Sequence, residues 1–306
     1  MPADKIDKLF DYVGQRYPQF RKGIQEARDA SPKRFGAIAD MYLGWLQRAR
    51  GDEGIRASID AFVQFTTDVN LAQARYEADG HYQYQSFAEV NEIHYSQDDE
   101  MQGYLWGIYL TNFLWAHHLE ICLFFKDRFV DRLGSAQSLI EIAPGHGGWG
   151  AWALHELPNA QLRGYDISPT SIEIASSVMR AAGSGDRASY VEMDAMKLTE
   201  LEPATADAGI SSFLIEHLEQ PGRLFEVIHH LLKPGGTFFV TAALTAAQID
   251  HIYEFNNESE VVALAEQSGL RVLETLSTNP QRLFPRARFV PRSMALLVQK
   301  PPVRSR

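Results

Sequence analysis

One cysteine in 306 residues, Cys122, leaves nothing for an internal disulfide to pair with. It sits in the apolar run LEICLFF, where a buried structural thiol is the expectation. Long hydrophobic runs are missing too. No uncharged apolar stretch reaches the ~18 residues that a membrane-spanning helix needs, and the opening MPADKIDKLF lacks the apolar core of a signal peptide. A cytoplasmic protein with no membrane partner is therefore expected. Positive charge is scarce: 29 Lys and Arg against 39 Asp and Glu leave a formal net charge of −10 and a pI near 5.5. Binding to a polyanion wants a basic stripe, and the nearest thing is RLFPRARFVPR (282–292). It reads as a solvated loop, with an anion or substrate contact as the alternative. No nucleic-acid partner is expected. Cys/His pairs at zinc spacing and the HExxH pattern are absent as well, so no metal is expected, although a mononuclear site assembled from scattered His and Asp stays open.

What is present is an ordinary balance for a globular enzyme, 45% hydrophobic and 22% charged residues. The pattern changes near Gly134. Before it the signals are helical. SPKRFGAIADMYLGWLQRAR opens with Ser31 as N-cap and Pro32 at the first helical position. GIRASIDAFVQFTTDVNLAQARYEA carries Ile55, Ile59, Phe62, Val63 and Val69 at roughly helical spacing. SQDDEMQGYLWGIYLTNFLWAHHLEICLFFKDRFVDRLG reads as one long buried helix, capped by Ser96 or Asp98 and stopped at Gly134. After Gly134, short β runs alternate with helices: SLIEIAP (138–144), LRGYDIS (162–168), ASYVEMD (188–194), DAGISSF (207–213) and GTFFVTAAL (236–244). RVLETLST and SMALLVQK close the chain without a helix between them, so they must pair antiparallel. The expected fold is α/β, a doubly wound, mostly parallel seven-stranded sheet with an antiparallel C-terminal hairpin. Residues 1–134 form a helical cap and 135–306 the sheet domain.

The stretch EIAPGHGGWG (141–150) puts Gly145, Gly147 and Gly150 in the spacing of a dinucleotide turn. In a doubly wound sheet ligands bind beyond the carboxyl ends of the strands, and the first two glycines let the backbone approach a ligand. Glu141, four residues before Gly145, points to a cationic ligand rather than a pyrophosphate. Asp166 ends the second strand, where a carboxylate binds two vicinal ribose hydroxyls. Asp194 ends the third, placed for an adenine amino group, with Met193 and Met196 to sandwich the ring. On these stations, together with KPGG and the closing hairpin, residues 135–300 resemble a class I S-adenosylmethionine-dependent methyltransferase. The match runs through Glu141, Ala143, Gly145 and Gly147, with alanine in place of the family's usual first glycine, which narrows the room beside the methionine moiety. The resemblance implies a Rossmann-like domain with S-adenosylmethionine held by Tyr104, Glu141, Ala143, Gly145, Gly147, Asp166, Ile167, Asp194, Ala195 and Ser211.

Methyl transfer is an in-line displacement, so the protein must align donor and acceptor, exclude water and take up any proton the nucleophile sheds. The acceptor should lie under the helical cap and the 244–257 loop. Tyrosines from Tyr76 onward, among them Tyr82, Tyr84 and Tyr95, with His81, Gln83 and His94 between them, are either core or a pocket lining. By the helical period, Tyr104, Ile108, Thr111, Trp115 and His118 share one face, and Trp106, Tyr109, Phe113 and His117 another, so His117 and His118 cannot both face the site. His217, after the fourth strand in IEHLEQP, is the first candidate for a proton acceptor, with His117, His118 and His251 behind it. Glu216 beside His217, and Asp250, Tyr253 and Glu254 around His251, are substrate-recognition candidates, and His229 and His230 are expected to be exposed or near a helix C-terminus. The combined expectation is a small-molecule methyltransferase of specialised metabolism. A protein or peptide methyltransferase, or a non-catalytic cofactor-binding partner, is the alternative. The apolar cap helix is compatible with a homodimer.

Overall fold

The computed structural model describes residues 3–92, 98–280 and 286–303. Ser96, His94, Tyr95 and Arg282, all singled out above, lie outside the described residues. The N-terminal third is helical: α1 (Ala3–Arg16), α2 (Arg21–Ala30), α3 (Pro32–Asp79), a single turn α4 (Phe87–Val90), α5 (Asp98–Leu114) and α6 (Ala116–Phe124). Pro32 takes the first position of α3 as its fixed φ favours, but the Ser31 side chain makes no capping bond. Gly51, at φ 69 and ψ −174, kinks α3 between the two stretches read as separate helices. Such a backbone is open to glycine alone without strain.

The single long helix expected from residue 98 onward is instead two. Trp115 sits at φ −98 and ψ 122, an extended conformation between α5 and α6. Neither glycine nor proline marks the break; packing does. The Trp115 ring stacks on Phe65 of α3 at 5.6 Å and on His117 at 5.3 Å, contacts that a continuous helix would re-aim. Beyond α6 the chain passes through a π turn (Phe125–Phe129) and a 3-10 turn (Val130–Arg132), and only then reaches Gly134 at φ 55.

The remaining chain alternates as the pattern predicts: β1 (Ser138–Ile142), α7 (Gly148–Glu156), β2 (Gln161–Asp166), α8 (Pro169–Ala181), β3 (Ala188–Glu192), β4 (Ala206–Ser211), α9 (Gly222–Leu231), β5 (Leu232–Leu244), α10 (Glu258–Gln267), β6 (Arg271–Thr278) and β7 (Arg292–Gln299). The seven strands are ordered β3-β2-β1-β4-β5-β7-β6. β1 pairs parallel with β2 and β4, and β4 with β5, while β7 runs antiparallel to both β5 and β6. The order turns back at β1, between β2 and β4, and a ligand crevice is expected at the carboxyl ends there. Neighbouring strand residues serve opposite faces. Leu139 and Phe239 join the core shared with α1–α3 and α5–α8, whereas Ile140 and Phe238 join the one covered by α9 and α10. The helical region and the sheet thus share a core. Tyr42 of α3, fully buried, packs on Tyr109, Phe113 and Trp152 and faces the Gly148 carbonyl at 3.3 Å.

Candidate functional site

All three central strands end beside a non-glycine residue in the left-handed region: Ala143 (φ 53) after β1, Phe213 (φ 50) after β4 and Thr245 (φ 46) after β5. Such backbone costs ~1–2 kcal/mol per residue and gathers where a site over-determines it. Ala143 and Phe213 line a cavity of about 1070 Å³ over the strand ends, and Ala243, Ala246 and Ala247 around Thr245 line it too. Its floor includes Ala143, Gly145, Asp166, Ile167, Asp194 and Ala195, and Phe62, Phe65, Tyr104, Ile108 and Trp115 form its helical wall.

The glycine turn divides into a lining part and a supporting part. Gly145, at φ 53, lines the cavity and donates its amide to Asp166 Oδ2 at 3.2 Å. Gly147, also at positive φ (70), does not line it: a Cβ there would meet Ala175 Cα of α8 at 2.7 Å. Its demand for glycine is helix packing and backbone, not the ligand clearance expected above. Glu141 is likewise behind the turn, with Oε1 accepting the Gly150 amide at 3.0 Å and its side chain occupying the space a Gly150 Cβ would need. Burial pushes its pKa up to about 8, so at neutral pH it is largely uncharged. The expectation that a Glu141 carboxylate faces the ligand and selects for positive charge is corrected accordingly. Ser211 is also fully buried outside the cavity lining.

Asp166 does face the cavity. It is 7% exposed, accepts from Gly145 and from Ser168 at 2.9 Å, and burial raises its pKa to about 6 against those hydrogen bonds. Asp194 caps the 3-10 turn Ala195–Glu200 by accepting from the Met196 amide at 2.9 Å, and both Met193 and Met196 line the cavity with it. Two carboxylates at neighbouring strand ends, a Cβ-free approach at Gly145 and flanking methionines fit a nucleoside with ribose and amino donors.

On the opposite wall, Tyr104, Ile108, Thr111, Trp115 and His118 all face in, as the helical period predicts, whereas Trp106, Tyr109 and Phe113 are core. Contrary to the expectation, His117 and His118 both line the cavity, because the break at Trp115 resets the helix phase. His118 Nδ1 lies 3.0 Å from Thr111 Oγ1 and its ring stacks on Phe213. Burial drives the pKa of His117 down to about 3 and that of His118 well below its ordinary value. The Tyr104 hydroxyl hydrogen-bonds Asp250, and burial with that carboxylate pushes its pKa well up.

His217 and His251 meet across two loops. The backbone ties them: Ile252 and Tyr253 both donate to the Glu216 carbonyl, at 3.0 and 2.9 Å. His217 Nδ1 faces the Asp250 carbonyl at 2.9 Å and its carboxylate at 3.6 Å, and the two imidazole rings stand 4.9 Å apart, nearly perpendicular. Asp250 and His251 are each 1% exposed, so this stretch is a buried wall rather than a displayed loop. Tyr253 and Glu254 line a separate cavity of about 460 Å³, Glu254 bonded to Tyr76. Of the tyrosine-rich stretch, Tyr82 went to packing against Tyr76, and His81 and Gln83 are exposed. His229 and His230 are half-buried in the last turn of α9. Cys122 is buried, its thiol 3.7 Å from Asn112 Oδ1. Sequence reasoning missed His146, which lies inside the glycine turn, lines the cavity and accepts the Gly148 amide at 2.9 Å. It also missed Phe213 in the lining, which carries no local signal, whereas Ala287, Pro291 and Arg292 bring the end of the 282–292 stretch to the cavity, in line with the alternative of a substrate contact there.

Residues 140–240 match a family model described as a methyltransferase domain. Among curated relatives, a ubiquinone biosynthesis O-methyltransferase of Cupriavidus pinatubonensis is 27% identical over 134 residues, covering 38% of this chain and 53% of that one. A second ubiquinone biosynthesis O-methyltransferase, from Paraburkholderia xenovorans, is 32% identical over 80 residues, 26% of this chain and 34% of its own. The chain therefore spans about half or less of the length of these relatives. An O-methyltransferase family protein of Burkholderia thailandensis shares the fold at a TM-score of 0.57 and 15% identity, over 83% of this chain and 74% of that one. Among the described residues no helix is long and apolar enough to cross a membrane.

Proposed function

We propose that this chain, whose residues 140–240 carry a class I S-adenosylmethionine-dependent methyltransferase domain, methylates a small-molecule acceptor with an apolar, partly aromatic body. The observation that carries the reading is the cavity itself. At about 1070 Å³ it runs unbroken from Asp166 and Asp194 to Phe62, Phe65, Ile108 and Trp115. Pockets for drug-sized ligands run ~300–1,000 Å³, so a cavity at the top of that range has room for a small acceptor beside the cofactor. Asp166 would hold the ribose hydroxyls, Asp194 the adenine amino group, and the Gly145 backbone the rest of the cofactor. When bound, S-adenosylmethionine supplies an electrophilic methyl on a sulfonium. The helices of residues 1–134 serve as the acceptor-binding lid over the sheet domain of residues 135–306. A cytoplasmic setting in specialised metabolism completes the reading, and the net charge of −10 supports a small molecule rather than a nucleic acid.

Among the candidate proton acceptors, the environment favours His217. An imidazolium there has the Asp250 carboxylate at 3.6 Å, whereas burial opposes protonation of His117, His118 and His251. The Asp250 carbonyl can only accept, so His217 carries its proton on Nδ1 and offers the Nε2 lone pair to the nucleophile. His217→Ala should lower turnover by ~10²–10⁴-fold with cofactor affinity nearly unchanged. The function is tested by incubating the chain with labelled S-adenosylmethionine against panels of phenols, amines, carboxylates and polypeptides. Label appearing only in polypeptides, or demethylated cofactor never forming, would overturn the reading.

A further inference from the structure

We propose that Glu216, His217 and His251 form a binding site for one divalent transition-metal cation, held by two imidazole nitrogens and a carboxylate oxygen. One potential ligand atom from each of the three side chains lies within 4.8 Å of the others, and His251 Nε2 is 4.0 Å from Glu216 Oε1. Ligand atoms ~2.0–2.2 Å from a common metal stand ~3.0–3.6 Å apart. The Glu216–His251 pair thus needs to close by up to ~1 Å and the widest pair by up to ~2 Å, within reach of side-chain rotation. The backbone needs no change, since the two loops are already joined at the Glu216 carbonyl.

Three features of the residues point to a cation rather than to simple packing. Both Glu216 oxygens are buried without a hydrogen-bond partner among the described residues, in a side chain that is 0% exposed. The backbone of Glu216 and Ala243 offsets the cost of that burial only in part. A buried carboxylate compensated so incompletely is expensive when charged, and a metal ion removes the cost. His251 Nε2 is also buried and unpartnered. A proton shared with Glu216 does not satisfy it, because 4.0 Å is beyond hydrogen-bond reach. Finally, His251 Nδ1 lies 2.7 Å from the Ala246 carbonyl and His217 Nδ1 2.9 Å from that of Asp250. Each carbonyl fixes the proton on Nδ1, the outer-shell arrangement that metal-binding histidines use. The Asp250 carboxyl lies 3.6 Å from His217 beside this cluster. Imidazole with carboxylate suits zinc, iron(II), cobalt or nickel rather than magnesium or calcium.

His217 and His251 line the same cavity as Asp166 and Asp194. If methyl transfer is the reaction, a cation here would polarise an acceptor oxygen and lower its pKa, and with His217 engaged as a ligand the acceptor would react as the metal-bound anion rather than give its proton to that imidazole. Cation binding itself does not depend on that reading. The test uses the full chain stripped with a chelator and titrated with Co²⁺, read by calorimetry and by the visible absorption of bound cobalt. The expected result is about one Co²⁺ per chain, displaced by Zn²⁺. That equivalent is lost in Glu216→Gln and in His251→Ala and kept in His229→Ala. Binding of demethylated cofactor to each variant reports that the cavity is folded; Glu216→Gln, being isosteric, carries the test where His251→Ala does not fold. No cobalt bound by the folded wild type, or equal binding by Glu216→Gln, overturns the site. Cobalt binding without any methyl transfer leaves the site standing and removes the methyltransferase reading, and the reverse result does the opposite.

Discussion

Replacing Asp166 by asparagine separates what this carboxylate does for the ligand from what it does for the fold. In the free protein it is 7% exposed, and burial raises its pKa from 3.8 to about 6. A raised carboxyl pKa means that the folded state binds the proton more tightly than the unfolded chain does. Its penalty on stability is thus complete above about pH 6 and is relieved as pH falls toward 3.8. At ~1.4 kcal/mol per unit, that penalty is ~3 kcal/mol at neutral pH. Asparagine escapes it. That figure is already net of the backbone hydrogen bonds from Gly145 at 3.2 Å and Ser168 at 2.9 Å, which pull the pKa down against burial. What asparagine loses further is one of the two, since its amide nitrogen cannot accept, at ~1–2 kcal/mol. Asp166→Asn should therefore melt level with the wild type or a few degrees above it. Cofactor binding moves the other way. Losing a charged acceptor for two ribose hydroxyls should cost ~2–3 kcal/mol, roughly 30- to 150-fold in Kd. Wild-type affinity should hold above about pH 6 and weaken toward tenfold per pH unit below it, as the free carboxyl takes up its proton. The variant should show little slope. Calorimetric titration with S-adenosylhomocysteine from pH 8 to pH 5, beside thermal melts, measures all of this. Equal affinity of wild type and variant at pH 8 would refute the placement of the ribose, and a flat wild-type profile would refute the raised pKa.

Ala143→Gly should stabilise the fold by ~1 kcal/mol, because φ 53 strains a residue with a Cβ; chemical denaturation at fixed m-value reads the difference. Gly147→Ala should cost ~2–5 kcal/mol, from φ 70 and from a Cβ 2.7 Å from Ala175 Cα, with cofactor affinity of the remaining folded protein close to wild type. A selective loss of affinity instead would place Gly147 against the ligand. At neutral pH, Glu141→Gln should leave cofactor binding nearly unchanged, since burial holds Glu141 largely protonated up to about pH 8. A large loss in a titration at pH 7 would show that its charge reaches the cavity.

The sheet was legible because its signals are local. Alternating β runs and helices, punctuated by Gly and Pro, place every strand of the sheet domain within a few residues, and two terminal strands without an intervening helix can only be antiparallel. The order of strands that positions Asp166 beside Gly145 follows from the crossover rules of such sheets. Three other features were not local. Glu141 lies on a strand buried on both faces, where alternation does not say which side meets the ligand, so its turn toward Gly150 emerged only with α7 in place. Trp115 breaks a helix that its own sequence would continue, because Phe65, fifty residues earlier in the chain, offers its ring a stacking partner, and that break brings His117 and His118 to the cavity together. The meeting of His217 with His251 depends on two loops joined through the Glu216 carbonyl, and no spacing in the sequence encodes it. Backbone propensity and periodicity act over one or two turns of chain. The chemistry at the strand ends rests on contacts between segments tens of residues apart, and only burial in the folded molecule decides which partner, charge and tautomer each side chain has.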